Sequence, residues 1–245
     1  MLKAFGWGAL AASSLLIGAF IAFGVRVSSR TLGLIMAFGV GVLIGAVAYD
    51  LVADAVTISG GAGIVVGLLS GAFAFFIGDW LIDRAGGKDR KSATGRQAEG
   101  NPKAIVLGAV LDGIPESVVL GLSLLTGEGV SVAVLVAVFL SNLPESMAAS
   151  SGLVQSGYPK NRVLLMWAVI VVVSGLASGF GFLFLDGASP SLLAAVNAFA
   201  AGAILTMVAD TMSPEAYARA GPLSGIATTI GFTVAFGVAM WERTS

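Results

Sequence analysis

The chain has 245 residues, 57% of them hydrophobic and 11% charged, with a mean hydropathy of +0.96; soluble domains carry about a quarter charged residues. This excludes a water-soluble domain and predicts an integral membrane protein of helices, because the apolar runs approach the roughly 20 residues needed to cross hydrocarbon and lack the alternation of barrel strands. The chain has no cysteine and no histidine, so disulfides, thiolate or imidazole ligands and Ser-His-Asp catalysis are ruled out; the net charge of -1 says little about partners, and no nucleic-acid partner is expected.

Apolar runs bounded by charges and by Gly or Pro predict eight spans, at 5-25, 31-57, 61-82, 103-126, 130-156, 162-185, 190-218 and 223-242, in one transmembrane domain over 1-245. The first follows Lys3 as "AFGWGALAASSLLIGAF", which also has the form of a secretory signal peptide; the charge bias described next favours a retained helix.

The third and fourth spans are joined by a basic loop, 83-102. With that loop in the cytoplasm, Arg26, Arg30, Arg84, Lys88, Arg90, Lys91, Arg96, Lys103, Lys160, Arg162 and Arg219 are all inside, and only Lys3 and Arg243 are outside. Eleven against two predicts an even number of spans with both termini outside. The short loops, without a transit-like arm, point to the plasma or inner cell membrane.

The second span contains "AFGVGVLIGAVAYDLVADA", residues 37 to 55, which lies without a gap over "AFAAGAILTMVADTMSPEA", residues 198 to 216, in the seventh. Ala37, Phe38, Gly41, Val47, Ala48 and Ala55 recur as Ala198, Phe199, Gly202, Val208, Ala209 and Ala216, and Asp54 lies over Glu215. The two spans run in opposite directions in this topology, so an inverted repeat is expected in a 3+2+3 arrangement, the plan of secondary transporters. Asp50 and Asp54 near the outer end of the second span, and Asp210 and Glu215 near the inner end of the seventh, are candidate mouths of a transport pathway. Asp79 and Asp83, at the cytoplasmic end of the third, read as solvated.

The fourth and fifth spans carry "AVLDGIPESVVLGLSLL" and "FLSNLPESMAAS". Glu116 and Glu145 each lie roughly 20 Å along their helices, near the bilayer midplane. Asp112 and Glu116 share a helix face, as do Ser141 and Glu145. Opposed, those faces would bring Asp112, Glu116, Ser141, Asn142 and Glu145 to one point. Pro115 and Pro144 leave the carbonyls of Leu111 and Leu140 without a helical donor and predict kinks beside the acids. Each charge costs at least about 2.5 kcal/mol at the midplane, and no Lys or Arg lies inside these spans, so a divalent cation exchanging with protons is the expected counter-charge. Ser117, Ser146 and Asn197 read as packing or kink residues.

The two Pro-Glu stretches on adjacent helices, the "SPEA" that ends the seventh span, eight helices and a long third loop resemble the ZIP family of divalent metal transporters, over essentially the whole chain. The resemblance implies a metal site between the fourth and fifth spans and a divalent ion (Zn²⁺, Mn²⁺, Fe²⁺ or Cd²⁺) as substrate rather than cofactor. Against the family's usual His-Asn-x-Pro-Glu-Gly, this chain keeps Pro115 and Glu116 but has Asp112 for histidine, Gly113 for asparagine and Ser117 for glycine. The second motif keeps Asn142, Pro144 and Glu145, with Ser141 where His or Gln is common, and no acid lies between Arg162 and Asp186 in the sixth span. An all-oxygen site suits hard ions such as Mn²⁺, while intrinsic affinity still favours Zn²⁺. One well-formed metal position, import into the cytoplasm and no enzymatic activity are expected.

Two other readings compete. A member without histidines could bind metal or protons as a sensor or scaffold without transport. "AYDLVAD" supplies the Tyr-Asp of an intramembrane aspartyl protease, but "FFIGDW" has Phe76 where the second motif needs glycine. The small-residue faces also suit a homodimer within the lipid bilayer.

Overall fold

Long runs of Ala, Leu, Val and Gly without internal breakers fold as helices, and serines and glycines punctuate them. Residues 1–25, 27–87, 102–125, 130–242 and 244 are described in the computed structural model. The basic loop expected at 83-102 lies outside them beyond Gly87, as do Arg26 and Arg243. Among the described residues, eight helices are long and apolar enough to cross a membrane. They are α1 (Leu2–Gly24), α2 (Ser29–Ile58), α3 (Ala62–Gly87), α4 (Pro102–Ser123), α5 (Val132–Gln155), α6 (Lys160–Leu185), α7 (Pro190–Ala220) and α8 (Leu223–Glu242). Ser28, Ser131 and Ser189 cap α2, α5 and α7, each accepting a backbone N–H three residues on, at 3.1, 3.1 and 3.3 Å. Gly157, Gly187 and Gly221 supply the positive φ that ends or follows α5, α6 and α7.

Contacts between helices order the bundle along its axis. Ser59 Oγ, after α2, lies 3.2 Å from Ser191 Oγ at the start of α7. Ser178 of α6 donates to the Ala4 carbonyl of α1, and Glu242 of α8 accepts from the Val132 N–H of α5. Both termini therefore lie at the end of the bundle that carries the α2–α3 and α4–α5 connections. At the opposite end, Lys160 of α6 reaches the Phe23 carbonyl of α1.

Neighbours pair reciprocally. α3 runs along α7 as α8 runs along α2; α5 packs on α1 as α4 packs on α6; α1 and α6 pack on each other. α2 and α5 are the most buried spans, and α3 and α8 the least. Phe73 and Phe76 of α3, Phe180 and Phe184 of α6, and Ile226 and Ile230 of α8 face outward, an apolar exterior that suits lipid rather than water. The chain is an integral membrane protein.

Glycine sets how closely the reciprocal pairs approach. A Cβ on Gly41 of α2 would collide with the Thr228 carbonyl of α8, and one on Gly231 of α8 with the Phe38 carbonyl of α2. Gly202 of α7 meets the Leu68 carbonyl of α3 in the same way, and Gly71 of α3 that of Phe199. Gly41 and Phe38 are the residues that match Gly202 and Phe199 in the sequence repeat. Backbone-to-backbone contact of this kind replaces the hydrophobic drive that helices lack in lipid.

Such contacts leave no room for a methyl group. Gly231→Ala should destabilise the protein by about 1–3 kcal/mol, whereas Gly237→Ala, on the same helix with open space around it, should be neutral. Thermal unfolding in detergent checks this, and equal stability of the two variants would contradict the packing described.

Candidate functional site

Two features of the backbone aim the acids of α2 and α7. Each helix opens into one wide turn with i→i+5 geometry, over Val47–Val52 in α2 and Val208–Met212 in α7, beginning at the matched valines of the repeat. Turns of this kind are rare and gather at functional sites. The first contains Asp50 and the second Asp210.

In the middle of α4, Asp112 is 3% exposed and Glu116 1%, at the depth expected from the sequence. One oxygen of each, Asp112 Oδ1 and Glu116 Oε2, is buried without a hydrogen-bond donor, while both residues interact elsewhere. In α5, Ser141 and Asn142 are buried and Glu145 is half-buried. Ser141 donates to the Val138 carbonyl at 3.0 Å. Both helices run through their prolines, Pro115 and Pro144. Beside Pro144, the Leu140 carbonyl and Ser141 face Gly39 of α2.

Among the described residues, no group of three Asp, Glu, His or Cys side chains that could hold a metal ion is formed. α4 packs chiefly on α6 and α5 on α1, and α4 and α5 also touch each other.

At the end that carries the termini, Asp50 and Asp54 do come together. They line a small cavity of about 20 Å³ with Leu51, Val119, Ser123, Ser131, Val134 and Asn197. Asp79 is not among those residues, so the Asp50–Asp79 pair that a protease would need is not assembled there. Asn197, expected to be a packing residue, is 7% exposed and belongs to this cavity. The sequence signal that could have found it is its place in the repeat, where the equivalent position holds Met36.

At the opposite end the acids fare differently. Asp210 is exposed. Glu215 is buried, and its Oε1 accepts from Arg219 Nη2 at 2.7 Å and from Nε at 3.1 Å. A Cβ on Gly33 of α2 would press on Arg219 Cβ, so α2 closes over this pair. Beside it, Leu32, Met36, Ala37, Met147, Ala148 and Ala216 form a buried apolar cluster. Sequence reading made Glu215 a candidate mouth; the arginine one helical turn on binds it here.

No family model matches the chain. It is 29% identical, over 224 residues, to a protein of Arabidopsis thaliana named "Putative zinc transporter"; the match takes in 89% of this chain and 35% of that protein. The chain thus spans about a third of the length of that relative.

Removing the cation from a buried pair strands a charge. Arg219→Ala should therefore cost about 3 kcal/mol, and Glu215→Gln added to it should restore most of the loss. Unfolding curves of the two variants check this; a single variant as stable as the parent would show that the pair carries no load.

Proposed function

We propose that this chain carries divalent metal cations across a membrane, as its resemblance to the ZIP family and its similarity to a protein named as a zinc transporter imply. The observation that carries the reading is the burial of Asp112 and Glu116 halfway along a membrane helix. Each carboxylate costs at least about 2.5 kcal/mol at that depth when charged. A passing dication, or protons in its absence, lowers that cost.

The cavity near Asp50 supports the route. Val119 and Ser123, which line it, lie three and seven residues beyond Glu116 on α4, so they continue the same helix face. Ser131 and Val134 do the same on α5, on the face that leads by Val138 and Ser141 to Asn142 and Glu145. An ion that enters at the Asp50 end meets Glu116 about one helical turn further in. The buried valines at 119, 134 and 138 lie between.

Asp112, Glu116 and Glu145, with Ser141 and Asn142, are the proposed ligands. All are oxygen donors, which favours hard ions such as Mn²⁺ and permits Zn²⁺, Fe²⁺ and Cd²⁺. Binding to carboxylates displaces protons, so uptake weakens as the loading side is acidified.

The basic residues predict that the termini face outward, so an ion that enters at the Asp50 end is imported. The reciprocal contacts of α2 with α8 and α7 with α3 support an inverted repeat, and hence alternation between an outward and an inward state around the α4–α5 site. Glu215 and Arg219, with the apolar cluster beside them, close the inner end in this conformation.

Proteoliposome uptake of Mn²⁺, Zn²⁺, Fe²⁺ and Cd²⁺ tests the proposal. Wild-type protein should load at least one of these ions, Glu116→Ala/Glu145→Ala should fall to the level of empty liposomes, and Asp79→Asn should not change uptake. Folded wild-type protein that passes no metal would favour a sensor or scaffold instead.

A further inference from the structure

We infer that Arg219 is the lock of the inner end: its guanidinium, a cation tethered to the chain, occupies the acid that a departing metal ion would meet there, and so holds that end shut until the ion arrives. This rests on the transport reading above and names the residue that decides which end is closed.

Three observations converge on it. The pair is withdrawn from water: the side chains of Arg219 and Glu215 are 9% and 6% exposed, and Glu215 Oε1 takes both Nη2 and Nε of the arginine. An exposed pair at this spacing contributes little, whereas a buried one is costly to break and serves best to fix one arrangement against another. The pair is also mounted on a short segment with a break at each end. Ser213–Ala220 follows the wide turn over Val208–Met212 and stops at Gly221, whose φ is 64°. Helices bend at wide turns, so this segment can swing without unwinding the rest of α7. Finally, the segment seals a seam between helices. A Cβ on Gly33 of α2 would lie 2.6 Å from Arg219 Cβ and 2.9 Å from the Ala220 nitrogen. Ala216, beside Glu215, packs in one cluster with Met36 and Ala37 of α2 and with Met147 and Ala148 of α5.

The internal repeat shows that this device belongs to one end. Asp54 lies over Glu215, and the residue over Arg219 is Ile58, which packs with Ala55, Ile64, Ala194 and Ala198. The cavity that Asp54 lines has no basic residue in its wall. Both halves carry the acid in equivalent places, and the α7 half alone adds a cation four residues on. A cation fixed at one end weights a two-state equilibrium toward the state in which that end is shut. An ion that reaches Glu215 competes with the guanidinium for the same carboxylate and offsets the charge that the arginine would leave stranded, so passage of the ion and opening of the end become one event.

The chain has no cysteine, so single introduced thiols report on each end. Ala148→Cys, in the buried inner cluster, and Ser123→Cys, in the wall of the opposite cavity, are labelled in separate proteins in detergent with a small water-soluble methanethiosulfonate. Glu215→Gln/Arg219→Ala, which leaves no charge of the pair behind, should speed labelling of Ala148→Cys about tenfold and slow that of Ser123→Cys, because opening one end closes the other. Arg219→Lys keeps a cation and should label like the parent at both ends. Saturating Mn²⁺ should speed labelling of Ala148→Cys in the parent and leave the neutral variant where it is. Thermal unfolding checks that each protein is folded, and Ala216→Cys, in the same cluster, replaces Ala148→Cys if that reporter is not. Any other pattern overturns the lock: faster labelling at both ends reveals a brace for the fold, and Arg219→Lys that labels like the neutral variant removes the role of charge. A failed lock in a protein that carries Mn²⁺ into liposomes leaves the transport reading intact. Reciprocal labelling in a protein that carries no metal keeps a two-state lock and removes the transport reading.

Discussion

The cost of holding carboxylates away from water governs this protein. Asp112 and Glu116 are buried in the centre of a helix long and apolar enough to span a bilayer, where each ionised group is penalised by at least about 2.5 kcal/mol. A packing role does not offset such a penalty, because an alanine or leucine would fill the same volume at no electrostatic cost. The same constraint explains the acids elsewhere. Glu215 is buried together with Arg219, whereas Asp54 stays exposed on the wall of a cavity. Glu215 has thus been given a cation, and Asp54 a polar space.

The second constraint is close packing without a hydrophobic drive. Gly41, Gly231, Gly202 and Gly71 bring α2 against α8 and α7 against α3 backbone to backbone, and the outermost helices, α3 and α8, are held by these contacts. α4 and α5 are secured to α6 and α1 rather than to each other. Buried links such as Trp167 Nε1 to Ser150 Oγ, at 2.8 Å, hold α6 to α5 outside the polar region.

Much of this could be read from the amino acids. Eight apolar runs gave eight helices because length and composition suffice to define a span. The depth of Asp112 and Glu116 followed from counting residues at a fixed rise. The repeat was visible as aligned Ala, Gly and Phe, and its meaning became clear in the glycine contacts, which no residue pattern specifies. What escaped reading depends on rotation and on neighbours. A wide turn shifts every later side chain round the helix, so the aim of Asp50 and Asp54 cannot be derived from a 3.6-residue period. The pairing of Glu215 with Arg219 was present as a spacing of four, yet a depth argument alone took the acid for a mouth.

The most direct measurement is a structure of the full chain loaded with Cd²⁺, with the ion located by its anomalous scattering. The expected result is a peak between α4 and α5, bonded to Glu116 and Glu145. A protein that transports Cd²⁺ yet shows no peak within bonding distance of either glutamate would contradict the claim that the midplane carboxylates carry the ion.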